Sequence, residues 1–345
     1  MYFPRLKIDT GKISHNARII NDRCAGKGIS VVAVTKCILA HEAITPLLEH
    51  SGINMLADSR LANIRRLFRS TGDPSRIMML RTPMPDEAEE LINICGTSLN
   101  TQVETVEKLA FHCDRYKKHH NIIIMVEIDD EREGLLPEQA EGFCRQLIGK
   151  SKYIRIKGIG TNARCITPNG PTRESIDILV NLKKQLEDRL GIEMETLSGG
   201  NSSIWNMIGS GELPPQVNQV RIGEAIFLGH ETARYKKIEG LYQDSFVLEA
   251  CIIEVKKRDN IPYRIILGLG IQDVMLKDLI TTCGRLLPRS QSSDHTMLDI
   301  GSGSKDNKTE KDFSNYRVGG IISFNLNYFG LLSCMTSPFV RKELI

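Results

Sequence analysis

A lysine at the end of an apolar run is the residue of this sequence that points most directly to chemistry. Lys36 follows ISVVAVT (29–35), a run typical of a buried strand. Because an unpaired ammonium is costly to remove from water, a lysine at the end of such a strand is more often functional or paired with an acid than accidental. We therefore expect Lys36 to be either a catalytic amine or one half of an ion pair.

Two glycine-containing turns have the composition of a phosphate site. The first is LSGGNSS (197–203), whose backbone N–H groups and hydroxyls can form a nest for an anion. An ordinary turn with serine as the cap of a following helix is the alternative. The second is VRIGEAIFLG (220–229), which puts Arg221 at the end of an apolar run and Gly223 in the turn after it.

The elements that must position these residues form a repeating pattern. Eight short apolar or β-branched runs alternate with stretches whose apolar residues recur every three or four positions, as in amphipathic helices. The predicted strands are ISVVAVT (29–35), INMLA (53–57), RIMML (76–80), TSLN (97–100), IIIMVEI (122–128), IRIKGIG (154–160), METLS (194–198) and NQVRI (218–222).

This alternation predicts an α/β fold of the (β/α)8 TIM barrel type. Active-site residues of such barrels follow the C-terminal ends of the strands, and the loops after strands seven and eight are the usual phosphate site. Lys36 follows the first strand, and the two glycine-containing turns follow the seventh and eighth. An open doubly wound sheet is the alternative, but it would place phosphate-binding glycines after the first strand, where VVAVTKCILAH stands.

The pattern changes after residue 235, where strand-like runs follow one another without long helices. These runs are DSFVLEACIIEV, YRIILGLG, HTMLDIG and GGIISFNL. We therefore predict two domains, a barrel over 11–234 and a β-rich domain made of 1–10 and 235–345. The polar stretch KDNKTEKDFSN (305–315) is predicted to be an exposed loop or hairpin tip.

Composition favours a small-molecule partner and a cytoplasmic protein. Lys and Arg total 45 against 42 Asp and Glu, and because the basic residues are scattered, no nucleic-acid surface is expected. No apolar run is long enough for a membrane span, and the N-terminus lacks the order of a secretory signal. Nine cysteines without a CxxC pair suit reduced thiols rather than disulfides or structural zinc.

These motifs jointly resemble the fold-type III pyridoxal-phosphate enzymes typified by alanine racemase. The resemblance covers nearly the whole chain, from the strand LKID through the lysine, the Asn-Ser pair and Val-Arg-x-Gly to the C-terminal β domain. GGNSS, RIGEAIFLGHETA, ADSR (57–60), SSDH (292–295) and NYFGLL (327–332) are most similar to ornithine racemases. The resemblance implies a pyridoxal-phosphate-dependent amino-acid racemase acting on ornithine or another basic amino acid. The alternatives are an alanine or broad-specificity racemase and a non-catalytic carrier of pyridoxal phosphate.

The resemblance also implies roles for individual residues. Lys36 matches the lysine that carries the cofactor, and Arg221 matches the arginine that faces the pyridine nitrogen. The matches to the phosphate ligands are Asn201, Ser202, Ser203, the N–H groups of Gly223 and Glu224, and Tyr328, whose alternative is a half-buried tyrosine of the β domain. Because arginine only donates hydrogen bonds, the nitrogen would stay unprotonated, which favours racemisation over transamination. Related decarboxylases place an acidic residue there, so Arg221 speaks against that activity.

Two positions beside the expected cofactor ring depart from the pattern of alanine racemases. Asn162 stands where those enzymes carry a histidine. Arg132 matches an arginine that contacts the cofactor oxygen and the substrate carboxylate, and Glu127 would replace the modified lysine that supports it. The alternative is a surface arginine paired with Asp129 or Glu131.

The second base is the position at which the sequence departs most. Racemisation needs acid–base groups on both faces of Cα, and one lysine serves only one face. Alanine racemases use a tyrosine of the neighbouring subunit, whereas Leu269 stands at or near that place here. The nearby candidates are Asp273, Asp294 and His295. We prefer His295, since neutral imidazole suits proton transfer near pH 7, although a structural histidine is the alternative.

A base from the neighbouring subunit implies a homodimer with active sites at the subunit interface. Within such a site, Asp273 or Asp294 is also suited to bind the distal ammonium of a basic substrate.

Overall fold

The computed structural model describes residues 2–128, 130–164, 170–258, 261–283, 286–300 and 316–345. The stretch predicted as an exposed loop or hairpin tip, 305–315, lies outside the described residues. The chain divides into two compact units. The barrel unit comprises Ile13–Lys36 and Ala40–Leu241, and the β-rich unit comprises Met1–Lys12, Cys37–Leu39 and Tyr242–Ile345.

Strands and helices alternate through the barrel unit, whereas strands dominate the β-rich unit. The strands are β1 (Arg5–Ile8), β2 (Ser30–Val34), β3 (Met55–Asp58), β4 (Ile77–Met79), β5 (Thr97–Asn100), β6 (His120–Met125), β7 (Ile154–Gly160), β8 (Thr196–Ser198), β9 (Gln219–Ile222), β10 (Phe246–Arg258), β11 (Ile261–Leu267), β12 (Leu279–Thr281), β13 (Leu286–Gln291), β14 (Thr296–Ile300), β15 (Ile321–Leu326) and β16 (Arg341–Leu344). The helices are α1 (Thr10–Ala25), α2 (Thr45–His50), α3 (Leu61–Thr71), α4 (Ala88–Ile94), α5 (Val103–Tyr116), α6 (Pro137–Leu147), α7 (Arg173–Leu190), α8 (Trp205–Ser210), α9 (Glu224–Leu228) and α10 (Tyr328–Thr336).

The predicted (β/α)8 barrel is confirmed. Strands β2 to β9 are parallel and form a closed ring, in which β9 pairs with β2 and places Arg221 opposite Val32. The barrel interior is packed by one apolar cluster made of Val32, Ala57, Met78, Leu99, Ile123 and Met125. Burial of each side chain of this size contributes about 1.5–3 kcal/mol, so the barrel interior is a stabilising core. Functional groups of the barrel are therefore expected at its two ends.

Helix α7 shows how the sequence pattern predicts the outer helices of the barrel. In α7, Ile176, Leu179, Leu182 and Leu186 are buried at spacings of three and four residues. Thr172 caps this helix by accepting a hydrogen bond from the Ser175 N–H, and it ends at Gly191, whose φ is 62°. A polar cap, an apolar stripe and a left-handed glycine together define one helix.

The β-rich unit contains one sheet in which the N-terminal strand takes part. The hydrogen-bonded order is β12-β15-β10-β11-β14-β13, and β1 pairs antiparallel with β10 and parallel with β16. The four predicted strands of this region correspond to β10, β11, β14 and β15. Three short strands, β12, β13 and β16, and helix α10 are additional elements that the sequence did not predict.

Within the described ranges, no helix is both long and apolar enough to cross a membrane. The eight cysteines of those ranges are free thiols.

Candidate functional site

Lys36 lies at the C-terminal end of β2, where a barrel places its functional groups. It is half-buried and begins a 3₁₀ turn, Lys36–Ile38. Its amine makes neither a hydrogen bond nor an ion pair with any residue in the described part of the chain. Lys36 is therefore not part of an ion pair with any described residue, although an ion pair was one of the two roles expected for it.

The backbone after Lys36 is unusually tight. Leu39 and Ala40 have φ values of 54° and 49°, in the left-handed region that residues with a Cβ rarely adopt. The Ala40 N–H donates to the Thr35 carbonyl over 3.3 Å and closes the turn. Two adjacent left-handed residues persist only where the surroundings hold them, and such strain clusters at functional sites.

A buried carboxyl holds the strand end that carries this lysine, and the sequence did not reveal it. Asp58 is fully buried at the end of β3, and its Oδ2 accepts a 2.8 Å hydrogen bond from the Thr35 hydroxyl. Its Oδ1 accepts from the Ser59 and Arg60 N–H groups and from Asn63. Burial raises the pKa of the Asp58 carboxyl, and this effect is larger than the lowering of the pKa by the hydrogen bonds from these donors. The ADSR motif therefore fastens β3 to the residue before Lys36.

Arg221 lies inside the C-terminal end of the barrel and is only 3% exposed. Its guanidinium donates to the Ser198 hydroxyl, to the Thr161 carbonyl over 2.6 Å and to Asn162 Oδ1 over 2.7 Å. These three acceptors are neutral and lie on β8 and directly after β7. The structure thus brings together Arg221 and Asn162, both predicted site residues, and adds Ser198 and Thr161.

A glycine makes room for this arginine. A Cβ on Gly160, at the end of β7, would lie 3.2 Å from Arg221 Nη1 and 3.0 Å from the Ser198 Cβ. Contacts this short are tighter than most Cβ contacts in proteins, so a side chain at Gly160 would displace the guanidinium. The glycine at the end of IKGIG therefore leaves room for both Ser198 and Arg221.

Replacing Arg221 by methionine is expected to lower the free energy of unfolding by about 2–4 kcal/mol. The buried carbonyl of Thr161 and the buried hydroxyl of Ser198 would lose the donor that now satisfies them, and each such loss costs about 1–3 kcal/mol. Chemical denaturation checks this, with exposed Arg145→Met as the control expected to change stability by about 0.5 kcal/mol or less. An Arg221→Met protein as stable as the wild type would show that the observed network contributes nothing.

The two predicted phosphate turns meet. Asn201 caps a 3₁₀ turn, Ser202–Ile204, through a 2.8 Å hydrogen bond from the Ser203 N–H, and its amide donates to the Ala163 carbonyl. Ser202 is buried, and its hydroxyl accepts a 3.3 Å hydrogen bond from the Ala225 N–H in the first turn of α9. The loops after the seventh and eighth barrel strands are thus joined through Ser202.

The donor set of this region fits a phosphate. The first N–H groups of a helix have no acceptor within the helix. Among the residues that the structure describes, none accepts a hydrogen bond from the N–H of Gly223 or Glu224. A Cβ on Gly223 would lie 2.8 Å from the Val34 carbonyl oxygen, so the glycine lets this turn pack against the end of β2. Backbone donors and a hydroxyl therefore stand beside the strand that leads to Lys36.

Glu224 introduces a titrating group beside these donors. Burial raises the pKa of its carboxyl to about 7. Between its ordinary pKa and this value, the folded protein holds a proton that the unfolded chain releases, so stability falls as pH rises through that window.

We expect Glu224→Gln to remove this pH dependence. Because glutamine mimics the protonated carboxyl, the variant should gain up to about 3 kcal/mol relative to the wild type as the pH rises from about 5 to about 8. Thermal or denaturant unfolding at several pH values measures the difference. The exposed Glu212→Gln serves as the matched control, and parallel stability curves for wild type and Glu224→Gln would contradict the assignment.

Arg132 and Glu127 lie in the loop after β6. The Glu127 carboxylate accepts hydrogen bonds from the Asp130 and Arg132 N–H groups over 2.8 and 3.0 Å and so shapes the loop. The Arg132 guanidinium pairs with Glu133 and lies 3.4 Å from Asp130 Oδ2. Glu127 thus supports the backbone of Arg132, and a contact between Arg132 and the cofactor stays a prediction.

The three candidates for the second base occupy one corner of the β-rich unit. His295 Nδ1 lies 2.8 Å from Asp294 Oδ1, both side chains are about half-exposed, and the pKa of Asp294 is lowered chiefly by the hydrogen bond from His295. Asp273 is buried, and its Oδ2 accepts from the Gly270 N–H. The turn of Asp273 joins that of His295 through the Gln272 N–H, which donates to the Ser293 carbonyl.

Leu269 and Tyr328 also belong to the β-rich unit. Leu269 is fully buried, so the position matched to the tyrosine of alanine racemases is part of the core. Tyr328 is half-buried and begins helix α10 directly after the cap Asn327. Its ring packs edge-on against Phe329 at 5.8 Å. This placement is compatible with both roles considered for Tyr328, and phosphate binding by it stays a prediction.

A protein-family model described as alanine racemase, N-terminal domain, matches residues 8–231. The chain belongs to this family. Two curated relatives match over 99% of the chain: a lysine racemase from Thermotoga maritima, 33% identical with 98% of its length covered, and an ornithine racemase from Acetoanaerobium sticklandii, 30% identical with all of its length covered. The resemblance found in the sequence is thereby confirmed.

Solved structures of the same fold support the architecture. The alanine racemase from Corynebacterium glutamicum superposes with a TM-score of 0.77 at 16% identity, with both chains fully covered. A D-threonine aldolase from Filomicrobium marinum gives 0.78 at 12% identity, covering 96% of this chain and 88% of its own. Because a racemase and an aldolase fit equally well, these likenesses show the fold and leave the activity to the site.

The family match covers only part of the predicted site. Residues 8–231 include Lys36, Arg221 and both phosphate turns. His295 and Tyr328 lie outside the matched range. The family model therefore covers the predicted site residues of the barrel unit and not those of the β-rich unit.

Proposed function

We propose that this protein is a pyridoxal-phosphate-dependent racemase that interconverts the L- and D-enantiomers of a free basic amino acid, ornithine or lysine. The observation that carries the proposal is the half-buried Lys36 amine, without a partner in the described structure, on the strand end against which the Gly223 turn packs. Membership of the alanine racemase family and the lysine and ornithine racemases among its relatives support the reaction and the substrate class.

Different residues of this chain would bind different parts of the cofactor. Lys36 would carry it, and Ser202 with the N–H groups of Gly223 and Glu224 would bind its phosphate. Arg221 would face the pyridine nitrogen. When bound, pyridoxal phosphate withdraws electrons from the amino acid and makes its α-hydrogen acidic.

Arg221 would leave the ring nitrogen of the cofactor unprotonated. Its guanidinium cannot accept a proton, and it is fixed by Ser198, Thr161 and Asn162. Because a guanidinium only donates, Arg221 would leave a pyridine nitrogen facing it unprotonated, and the bound cofactor would then withdraw electrons only moderately. The fixed arginine therefore favours racemisation over group transfer.

Proton movement requires one group on each face of Cα. Lys36 would take and return the proton on one face. We propose that the other face is served by His295 of the neighbouring subunit, in a homodimer. Its imidazole is about half-exposed and positioned by Asp294. Asp273 and Asp294 are also the acids suited to a distal substrate ammonium.

A substrate panel tests the proposed function. The purified protein, loaded with pyridoxal phosphate, is incubated in deuterated water with single enantiomers of ornithine, lysine, arginine, alanine and glutamate. Loss of optical rotation and α-deuterium incorporation are followed together. Ornithine and lysine are expected to react fastest. A preference for alanine would overturn the substrate class, and exchange without racemisation would overturn the two-base reaction.

A further inference from the structure

Thr35, the residue before Lys36, uses each of its polar groups to hold the end of β2. Its N–H donates to the Ala57 carbonyl over 2.8 Å, and its carbonyl accepts from the Ala40 N–H over 3.3 Å. Its hydroxyl lies 2.8 Å from Asp58 Oδ2 and 3.1 Å from the Ala57 carbonyl oxygen. Because Thr35 is fully buried, these hydrogen bonds are shielded from solvent.

The Asp58 carboxyl is a firm anchor for this hydroxyl. Its Oδ1 accepts from the Ser59 and Arg60 N–H groups and from the Asn63 amide of helix α3, over 2.7 to 3.2 Å. The backbone carbonyl of Asp58 accepts from the Leu80 N–H over 2.9 Å, which joins it to the residue after β4. The carboxyl is therefore fixed by α3 and by a neighbouring strand, and its other oxygen binds the end of β2.

The turn after Lys36 is strained and closes on the anchored residue. Leu39 and Ala40 have φ values of 54° and 49°, and such conformations persist only where the surroundings enforce them. The hydrogen bond that closes this turn ends at the Thr35 carbonyl. If the Thr35 side chain were released, the turn would relax by moving the end of β2. The backbone of Lys36 thus lies between a residue held by Asp58 and a turn under strain.

We propose that Asp58 is a positioning residue for Lys36 and acts through the Thr35 hydroxyl. This role rests on the proposed function, in which Lys36 carries the cofactor. By fixing the backbone before the lysine, Asp58 fixes the point from which the amine reaches the reacting carbon. A displacement of about 1 Å at a reacting group can cost on the order of a hundredfold in rate. The proposed phosphate ligands follow β8 and β9, so the anchor affects the reaction of the amine more than the binding of the cofactor.

The kinetics of covalent attachment separate these two effects. The full chain, freed of cofactor, is mixed with increasing concentrations of pyridoxal phosphate. Borohydride stops the reaction at intervals, and mass measurement gives the attached fraction. The maximal rate reports the reaction of the Lys36 amine, and the half-saturating concentration reports the binding that precedes it.

Thr35→Val removes the hydroxyl at nearly constant volume. The maximal rate of attachment should fall about tenfold to a hundredfold, while the half-saturating concentration changes by less than about threefold. The kcat of racemisation should fall with the maximal rate, and KM should change little. Thr35→Ser keeps the hydroxyl and should restore most of both rates.

Asn63→Leu is the matched control for stability. It removes another donor of the same Asp58 carboxyl, but on the side of α3, and Asn63 is likewise buried. It should lower the melting temperature about as much as Thr35→Val and leave the maximal rate of attachment within about twofold of the wild type. All variants are compared at a temperature at which circular dichroism shows them to be folded.

Equal maximal rates for the wild type and Thr35→Val, or an equal loss of rate in Asn63→Leu, would overturn the positioning role. If Thr35→Val does not fold, Thr35→Cys takes its place, since a thiol is a weaker donor of similar size, and an undiminished rate would again overturn the proposal. Failure of the proposed function gives a different result. The wild type itself would not attach the cofactor at Lys36, and Asp58 would then have no reacting amine to position.

Discussion

Replacement of Lys36 by alanine is expected to abolish covalent attachment of pyridoxal phosphate and to reduce racemisation by more than about 10⁴-fold. By the proposed mechanism, the variant would lose both the amine that carries the cofactor and the proton carrier of one face of Cα. Among the described residues, no other lysine lies within two residues of the C-terminal end of a barrel strand. Borohydride reduction followed by denaturation and mass measurement shows whether the cofactor is attached.

Lys184→Ala, at an exposed lysine of α7, is the control and should retain both attachment and activity. Cofactor that remains covalently attached to the Lys36→Ala chain after reduction would contradict the assignment of Lys36 as the residue that carries the cofactor. If the variant lost activity but still bound the cofactor covalently, Lys36 would be only a proton carrier, and another residue would carry the cofactor.

The His295→Asn variant should racemise about 10²–10⁴-fold more slowly than the wild type, the usual contribution of a positioned acid–base group. Asparagine keeps a polar partner for Asp294 but cannot carry a proton at neutral pH. Lys36 still serves its own face of Cα. Solvent deuterium should therefore enter from one enantiomer and not from the other.

Proton NMR of each enantiomer in deuterated water measures this asymmetry directly. Asp294→Asn is the companion variant, since it removes the carboxylate beside the imidazole and leaves the imidazole itself, and its loss of rate should be smaller. Equal exchange from both enantiomers at near wild-type rate would show that His295 is not the second base. Asp273 and Asp294 would then be the next second-base candidates.

The barrel could be predicted because most of its strands are short apolar or β-branched runs that alternate with amphipathic helices, and both patterns are local in the sequence. The short strands of the β-rich unit carry no such signal. Strand β16 reads RKEL, and β13 contains a proline, so both are defined by distant partners rather than by their own composition. Helix α10 contains a glycine and follows strand β15 after a single residue. Its apolar sequence, YFGLLSCMT, has little helical periodicity.

The same limit applied to the site. Lys36, Ser202, Arg221 and Gly223 end or follow recognisable strands, so their positions could be read from the sequence. The partners of Arg221 could not be read in this way, because Ser198 lies on the neighbouring strand β8 and Thr161 directly after β7, and the register between strands is not a local property of the sequence. Asp58 belongs to the ADSR motif, but its contact with Thr35 could not be predicted for the same reason, since it joins two neighbouring strands.

Strand β1 is synthesised long before the strands that flank it in the sheet. Arg5 and Glu249, which pair across β1 and β10, are 244 residues apart. At about 5–20 residues per second, a ribosome needs on the order of 10–50 s to make that interval, during which a nascent β1 has no neighbours. An unpaired edge invites aggregation, and charged side chains discourage it. Arg5 and Lys7 place two positive charges at alternate positions of β1, which would discourage such pairing in the nascent chain, and both pair with Glu249 in the finished sheet.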